Sequence, residues 1–200
     1  ELRRELSLES DAPVVGFVGR LCTQKDPLSS VLAARKCADT HPGTQFIVAG
    51  DGPLRRDVEE AVDCLGLRKQ CHVLGHRTDM DRILGLIDVL VQPSLWEGLP
   101  YVVLDAMARG KAVVASEVGG LGDVIKPGNN GMLVPVRDPD AVAETIGRLL
   151  GDTELRASLG RHARATVAGS YRLQDILAAL RHLYGSLRSI DRAGVPRCVE

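Results

Sequence analysis

Short apolar runs, each shut off by glycine or proline and followed by a helix-like stretch, constrain this chain more than any other feature. Val14-Val15-Gly16-Phe17-Val18 ends in Gly19 and reads as a buried parallel strand. Pro27 then opens a helix, with Leu28, Val31, Leu32 and Arg35 at helical spacing, and His41-Pro42-Gly43 stops it. The unit repeats. Residues 45–49 make a second strand, closed by Gly50-Asp51-Gly52-Pro53; Pro53 starts a helix through Val58, Val62 and Leu65 that Gly66 ends. Further strands are predicted at 71–74, 88–91, 112–115 and 131–134, with helices over 80–87 and from Pro100 to Gly110. Val118-Gly119-Gly120-Leu121-Gly122 reads as a loop, either flexible or closely approached by other backbone. From Asp138 onward the pattern is helical only, over 139–150, 152–166 and 173–188.

Strands alternating with helices imply an α/β fold: a Rossmann-like, doubly wound parallel sheet of about six strands with helices on both faces. A helical C-terminal tail follows it. Ligands of such sheets sit outside the carboxyl ends of the strands. That rule puts residues 19–25, 50–53, 75–77 and 93–100 on one rim. The 200 residues suit one domain over 1–190, with 191–200 as a disordered tail. The opening ELRREL is charged and helix-like, as if the chain began inside a longer protein.

Composition removes several function classes. Lys and Arg number 25 against 26 Asp and Glu, a net charge of −1, so no global footprint for nucleic acid exists. Aromatics are 3%, too few for a single-strand stacking platform. Five cysteines without a CxxC pair argue against a disulfide framework and for reduced thiols in a cytoplasmic setting. Cys71, His72 and His76 lie close together but lack a second ligand pair, so they read as a strand residue and two loop histidines; no metal is expected. There is no apolar run of ~18 residues and no signal-like start.

Two nucleotide signatures are missing. Arg55 stands where GxGxxG wants its third glycine, and no GxxxxGK[ST] occurs. What remains is a distributed anion site. Arg20 and Lys25 share the loop after the first strand, where Arg offers a planar fork and Lys a point charge to phosphate oxygens. Two solvated surface cations explain the same residues, and on these alone that plainer reading leads. Pro100 marks a helix N-terminus beside Glu97, where free N–H groups at Tyr101 and Val102 favour a phosphate. Asp105, in the second turn, has the two acceptors that suit a ribose diol. A dipole-stabilising Glu97 with a solvated Asp105 is the structural alternative. A glycosidase pair is weaker, since nothing supplies a sugar cleft.

Taken together, GRLCTQK, AGDGP, VLGHRTDM, DVLVQPSLWEGLPYVVLDAMARGKAVVAS, VGGLGDVI and GMLVPVRDPDAVAETI resemble the C-terminal domain of family-4, group 1 glycosyltransferases. These are retaining enzymes of the GT-B fold. The resemblance spans residues 12–188 and implies a half that binds the nucleoside diphosphate sugar donor, a UDP-sugar first, or a GDP- or ADP-sugar. It implies that Arg20 and Lys25, in the loop opened by Gly19, hold the diphosphate. Glu97 would contact the donor sugar and Asp105 the ribose. Backbone N–H groups from Gly98, Leu99, Pro100, Tyr101 and Val102 would serve sugar and phosphate, although Pro100 itself has none to give. The stretch with Gly75 and Arg77 resembles the base-contacting segment, acting largely through backbone. Glu97, Arg20 and Lys25 are the implied catalytic groups, with no required cofactor.

Two departures stand out. Asp105 replaces the family's second Glu, and Asp26 stands where glycine often follows the lysine. The acceptor would bind an N-terminal domain absent from this chain, and the helices over 152–188 would pack toward it. This piece alone would transfer no sugar. Membrane association, at the inner face, would belong to the full-length protein. A sugar-nucleotide epimerase and a non-catalytic nucleotide-binding module are the alternatives.

Overall fold

The computed structural model describes residues 2–8 and 11–192. Its strands are β1 (Val14–Val18), β2 (Gln45–Ala49), β3 (Cys71–Gly75), β4 (Val89–Gln92), β5 (Ala112–Ser116) and β6 (Met132–Val134). They form one parallel sheet in the order β3-β2-β1-β4-β5-β6. Around it lie α1 (Leu2–Glu5), α2 (Pro27–Thr40), α3 (Arg55–Cys64), α4 (Met80–Leu86), α5 (Tyr101–Ala108), α6 (Gly119–Val124), α7 (Pro139–Gly151), α8 (Thr153–Ser170) and α9 (Leu173–Arg192). The doubly wound sheet expected from the alternation is present.

The four inner strands, β1, β2, β4 and β5, are buried on both faces, and their side chains alternate between two cores. Val15, Phe17, Val48 and Val91 face α2, α3 and α7. Val14, Ile47, Leu90 and Val113 face α4, α5 and α6. Asp26, Asp138 and Asp152 cap α2, α7 and α8, each accepting a hydrogen bond from a backbone N–H of the first turn. Chain order reverses between β1 and β4, which pair through Val15–Val89 and Gly16–Leu90. Their carboxyl ends therefore diverge and open a crevice.

Two expectations change. Residues 118–122 are not a plain loop: α6 begins at Gly119, where the chain packs its backbone against the β4 loop. Helix α8 docks by one face on this domain. Leu159, Gly160 and Ala163 bury it on α5 and β5, and Thr166 Oγ1 accepts from Asn130 Nδ2 at 3.0 Å. Small residues permit that close approach. Helix α9 runs to Arg192, so the first two residues of the expected tail are helical, and 193–200 lie outside the described residues. Leu177, Leu180, Leu183 and Tyr184 stand exposed on α9. Among the described residues, no helix is long and apolar enough to cross a membrane.

Candidate functional site

The loops after β1, β2 and β3 are laced by backbone. Gly19 N donates to Ala49 O at 3.0 Å, Leu21 N to Asp51 O at 2.9 Å, and Gly50 N to Gly75 O at 2.8 Å. Gly50 has φ of +147°, and a Cβ there would lie 1.8 Å from Gly19 O. Only glycine fits. The lacing leaves a cleft of about 510 Å³ lined by Gly19, Arg20, Gly50, Asp51, His76 and Arg77, among others.

Arg20 and Lys25 behave differently. Arg20 is exposed, and its guanidinium has no partner among the described residues. Lys25 is paired with Glu97, whose side chain is only 5% exposed. Ser94 Oγ donates to the same Glu97 Oε1 at 2.7 Å, and Gln92 Nε2 donates to Ser94 Oγ at 3.0 Å. Gln92 and Ser94 are fully buried. Gln24 ties the first loop to the β4 loop: its Nε2 donates to Trp96 O at 3.1 Å and its O accepts from Leu95 N at 2.8 Å. The sequence reading contained none of Gln92, Ser94 and Gln24 as site residues. The only signal was the polar Gln92-Pro93-Ser94 at the end of an apolar strand.

Pro100 caps α5 in extended conformation without a side-chain cap. Tyr101 and Val102 are its first residues, so their N–H groups have no carbonyl four residues back within the helix. Gly98 and Leu99 are exposed just before them. The α6 start clamps this loop. Gly120 N donates to Glu97 O at 3.3 Å, and a Cβ at Gly120 would come within 1.9 Å of Gly98 O.

Two expected side chains take partners other than the Lys25–Glu97 pair. Asp105 is exposed on α5, with its carboxylate 3.9 Å from Arg109 Nη1 and no bond to the Lys25–Glu97 cluster. Arg77 is held by Asp79, at 2.8 Å from both Nε and Nη2, and by Glu5 at 3.0 Å. Its hydrogen bonds to Asp79 and Glu5 push its pKa up, and the Arg77 bond holds Asp79 below the usual carboxylate range. Cys71 and His72 point to opposite faces of β3. Burial pushes the Cys71 thiol up to about 12, while His72 Nε2 is bonded to Gln45 Oε1 at 2.9 Å. Among the described residues, no group of three or more His, Cys, Asp or Glu side chains is placed to hold a metal ion.

Known proteins resemble this chain in sequence and in fold. The family model described as Glycosyl transferases group 1 matches residues 1–166. The chain is 33% identical over 192 residues to the alpha-D-kanosaminyltransferase of Streptomyces kanamyceticus, covering 95% of this chain and 49% of that one. It is 30% identical over 182 residues to the Escherichia coli UDP-Gal:alpha-D-GlcNAc-diphosphoundecaprenol alpha-1,3-galactosyltransferase, covering 90% and 47%. Among solved structures, HepE of Anabaena in complex with UDP superposes with a TM-score of 0.86 at 25% identity, over 92% of this chain and 51% of HepE. The chain thus spans about half the length of the curated relatives it matches. On the family match over residues 1–166 and the identity to these relatives, this chain belongs to the group 1 glycosyl transferases.

Proposed function

We propose that this chain is the donor-binding half of a retaining GT-B glycosyltransferase that moves a hexose from a UDP-sugar to an acceptor held by an N-terminal domain. The observation that carries the reading is the convergence of Arg20, the Lys25–Glu97 pair and the open start of α5 on the β1/β4 crevice. HepE, a structural neighbour, has been solved with UDP and with UDP-glucose.

In this reading Arg20, Lys25 and the N–H groups of Tyr101 and Val102 meet the diphosphate. Glu97 accepts from hydroxyls of the sugar, with Gly98 and Leu99 beside it. Asp105 takes the ribose, with a side chain free to swing from an exposed helix face. The base lies against backbone near Gly75 and Arg77, since the Arg77 guanidinium already serves Asp79 and Glu5. Transfer breaks the bond between the anomeric carbon and the β-phosphate oxygen, and the electron pair stays on that oxygen. The acceptor oxygen forms the new bond with retained configuration, and its proton leaves for phosphate or solvent. Positive groups aimed at the departing oxygens stabilise that developing charge. Arg20, Lys25 and the helix start supply it, so the reading needs no metal.

Calorimetric titration with UDP, GDP and ADP tests the proposal. UDP is expected to bind, and Arg20→Ala or Lys25→Ala to weaken UDP by roughly tenfold or more while uridine changes little. A folded chain that binds none of the three overturns it.

A further inference from the structure

Lys25 faces two demands. It holds the donor diphosphate in the reading above, yet its ammonium lies on Glu97 Oε1. Moving Lys25 to a phosphate takes a cation away from a carboxylate with a side chain only 5% exposed. Stripping the partner from such a charge is strongly disfavoured unless other donors remain.

Ser94 is that other donor. Its hydroxyl gives a 2.7 Å hydrogen bond to the oxygen that Lys25 holds. Gln92 Nε2 donates to Ser94 Oγ at 3.0 Å, which occupies an acceptor position and leaves the hydroxyl proton for Glu97. Gln92 belongs to β4, a strand paired on both sides, and Ser94 follows two residues later; both are buried at 0% exposure. The amide lies beside the Arg20–Lys25 loop, since a Cβ at Gly19 would be 3.9 Å from Gln92 Nε2. Gln92 Oε1 has no partner among the described residues. An apolar residue of similar volume would fill the place without that cost, so packing alone does not call for this glutamine. Lys25 and Ser94 both bond Glu97 at Oε1, which leaves Oε2 for a hydroxyl.

We propose that Ser94, backed by Gln92, is a positioning residue that keeps Glu97 satisfied and aimed while Lys25 passes from the carboxylate to the donor diphosphate. This rests on the donor-binding reading of the same site. In Ser94→Ala, Lys25 becomes the sole donor to Glu97 Oε1, so its release is harder.

Calorimetry on this 200-residue chain tests the idea, with whichever of UDP, GDP and ADP the parent binds most tightly. Ser94→Ala is expected to weaken that nucleotide roughly tenfold. In the Glu97→Gln background, where no carboxylate competes for Lys25, the same substitution is expected to cost less than about twofold. A purely structural role for Ser94 would lower affinity equally in both backgrounds. Ser94→Cys keeps the volume with only a weak donor and carries the test if the alanine variant does not fold. Equal losses in both backgrounds, or a loss below about twofold in the parent background, overturn the proposal while leaving the donor-binding reading intact. Failure of the parent to bind any of the three nucleotides overturns that reading, and this proposal with it.

Discussion

Asp26 occupies a left-handed conformation, with φ of +45° and ψ of +57°, directly after Lys25. That geometry accounts for the glycine often found there in the family. Asp26 offsets the strain by capping α2: its carboxylate accepts from Ser29 Oγ at 2.7 Å and from Ser29 N at 3.4 Å. Asp26→Ala loses the cap and keeps the strain, and is expected to cost about 2 kcal/mol in chemical denaturation. Asp26→Gly relieves the backbone and is expected to change stability by only a few tenths, about 0.3 kcal/mol. His72 gives a residue-scale pH effect. Burial holds its pKa below the ordinary value of 6.5. The unfolded chain therefore binds the proton more readily, and the stability present above pH 6.5 is lost as pH falls through the lower, folded pKa. Melting temperatures of the parent and His72→Gln, compared from pH 8 to pH 5, are expected to diverge only on the acidic side, with the parent falling more steeply.

At the scale of elements, close backbone approach decides what sits where. Helix α8 docks because Gly160 lies against the turn at Gly110; a Cβ at Gly160 would stand 2.0 Å from Gly110 O. Gly160→Ala is expected to cost about 2–3 kcal/mol by urea unfolding, since backbone must shift. Gly169 is in the same helix with nothing within 4 Å of its Cβ position. Gly169→Ala is expected to stabilise by about 0.5 kcal/mol, through chain entropy and helix propensity. Opposite signs for one substitution in one helix would separate packing from propensity. The same physics made α6 hard to foresee. Gly119-Gly120-Leu121-Gly122 has poor helix propensity, but its glycines permit contact with the Glu97 carbonyl, and Leu121 and Val124 bury the turn.

Over the whole molecule, the core on one face of the sheet buries two of the cysteines. Cys37 sits under α7, with Sγ 3.3 Å from Ala143 O, and burial pushes its thiol up to about 11. Cys71 is buried on β3 with a thiol near 12, whereas Cys64 is exposed on α3. At pH 8, a thiol reagent read out by peptide mass spectrometry is expected to label Cys64 at once. Cys37 and Cys71 are expected to react only through unfolding of the sheet core. Helix α9 shows the other side of this packing, since its leucines 177, 180 and 183 remain exposed while α8 is docked.

The fold was legible because it depends on local signals. Short apolar runs closed by glycine or proline read as buried strands when helix-length stretches alternate with them, and the helices between them favour parallel pairing. Apart from α6, strand and helix positions followed within a few residues, so residues 19–25, 50–53 and 93–100 were legible as following strand ends. Arg20, Lys25 and Glu97 were legible as charged residues in loops at strand ends. The partnership of Lys25 with Glu97 was not, because it joins residues 72 apart across the reversal between β1 and β4. Nor were Gln92 and Ser94, which gain meaning only when burial removes water and leaves each polar atom dependent on a neighbour. The pairing of Asp105 with Arg109 and the capture of Arg77 by Asp79 and Glu5 were also decided in three dimensions. Sequence alone determined which backbone groups and charges reach the rim. Tertiary structure decided which charges neutralise each other there, because electrostatic partnership depends on distance through space and on exclusion of water.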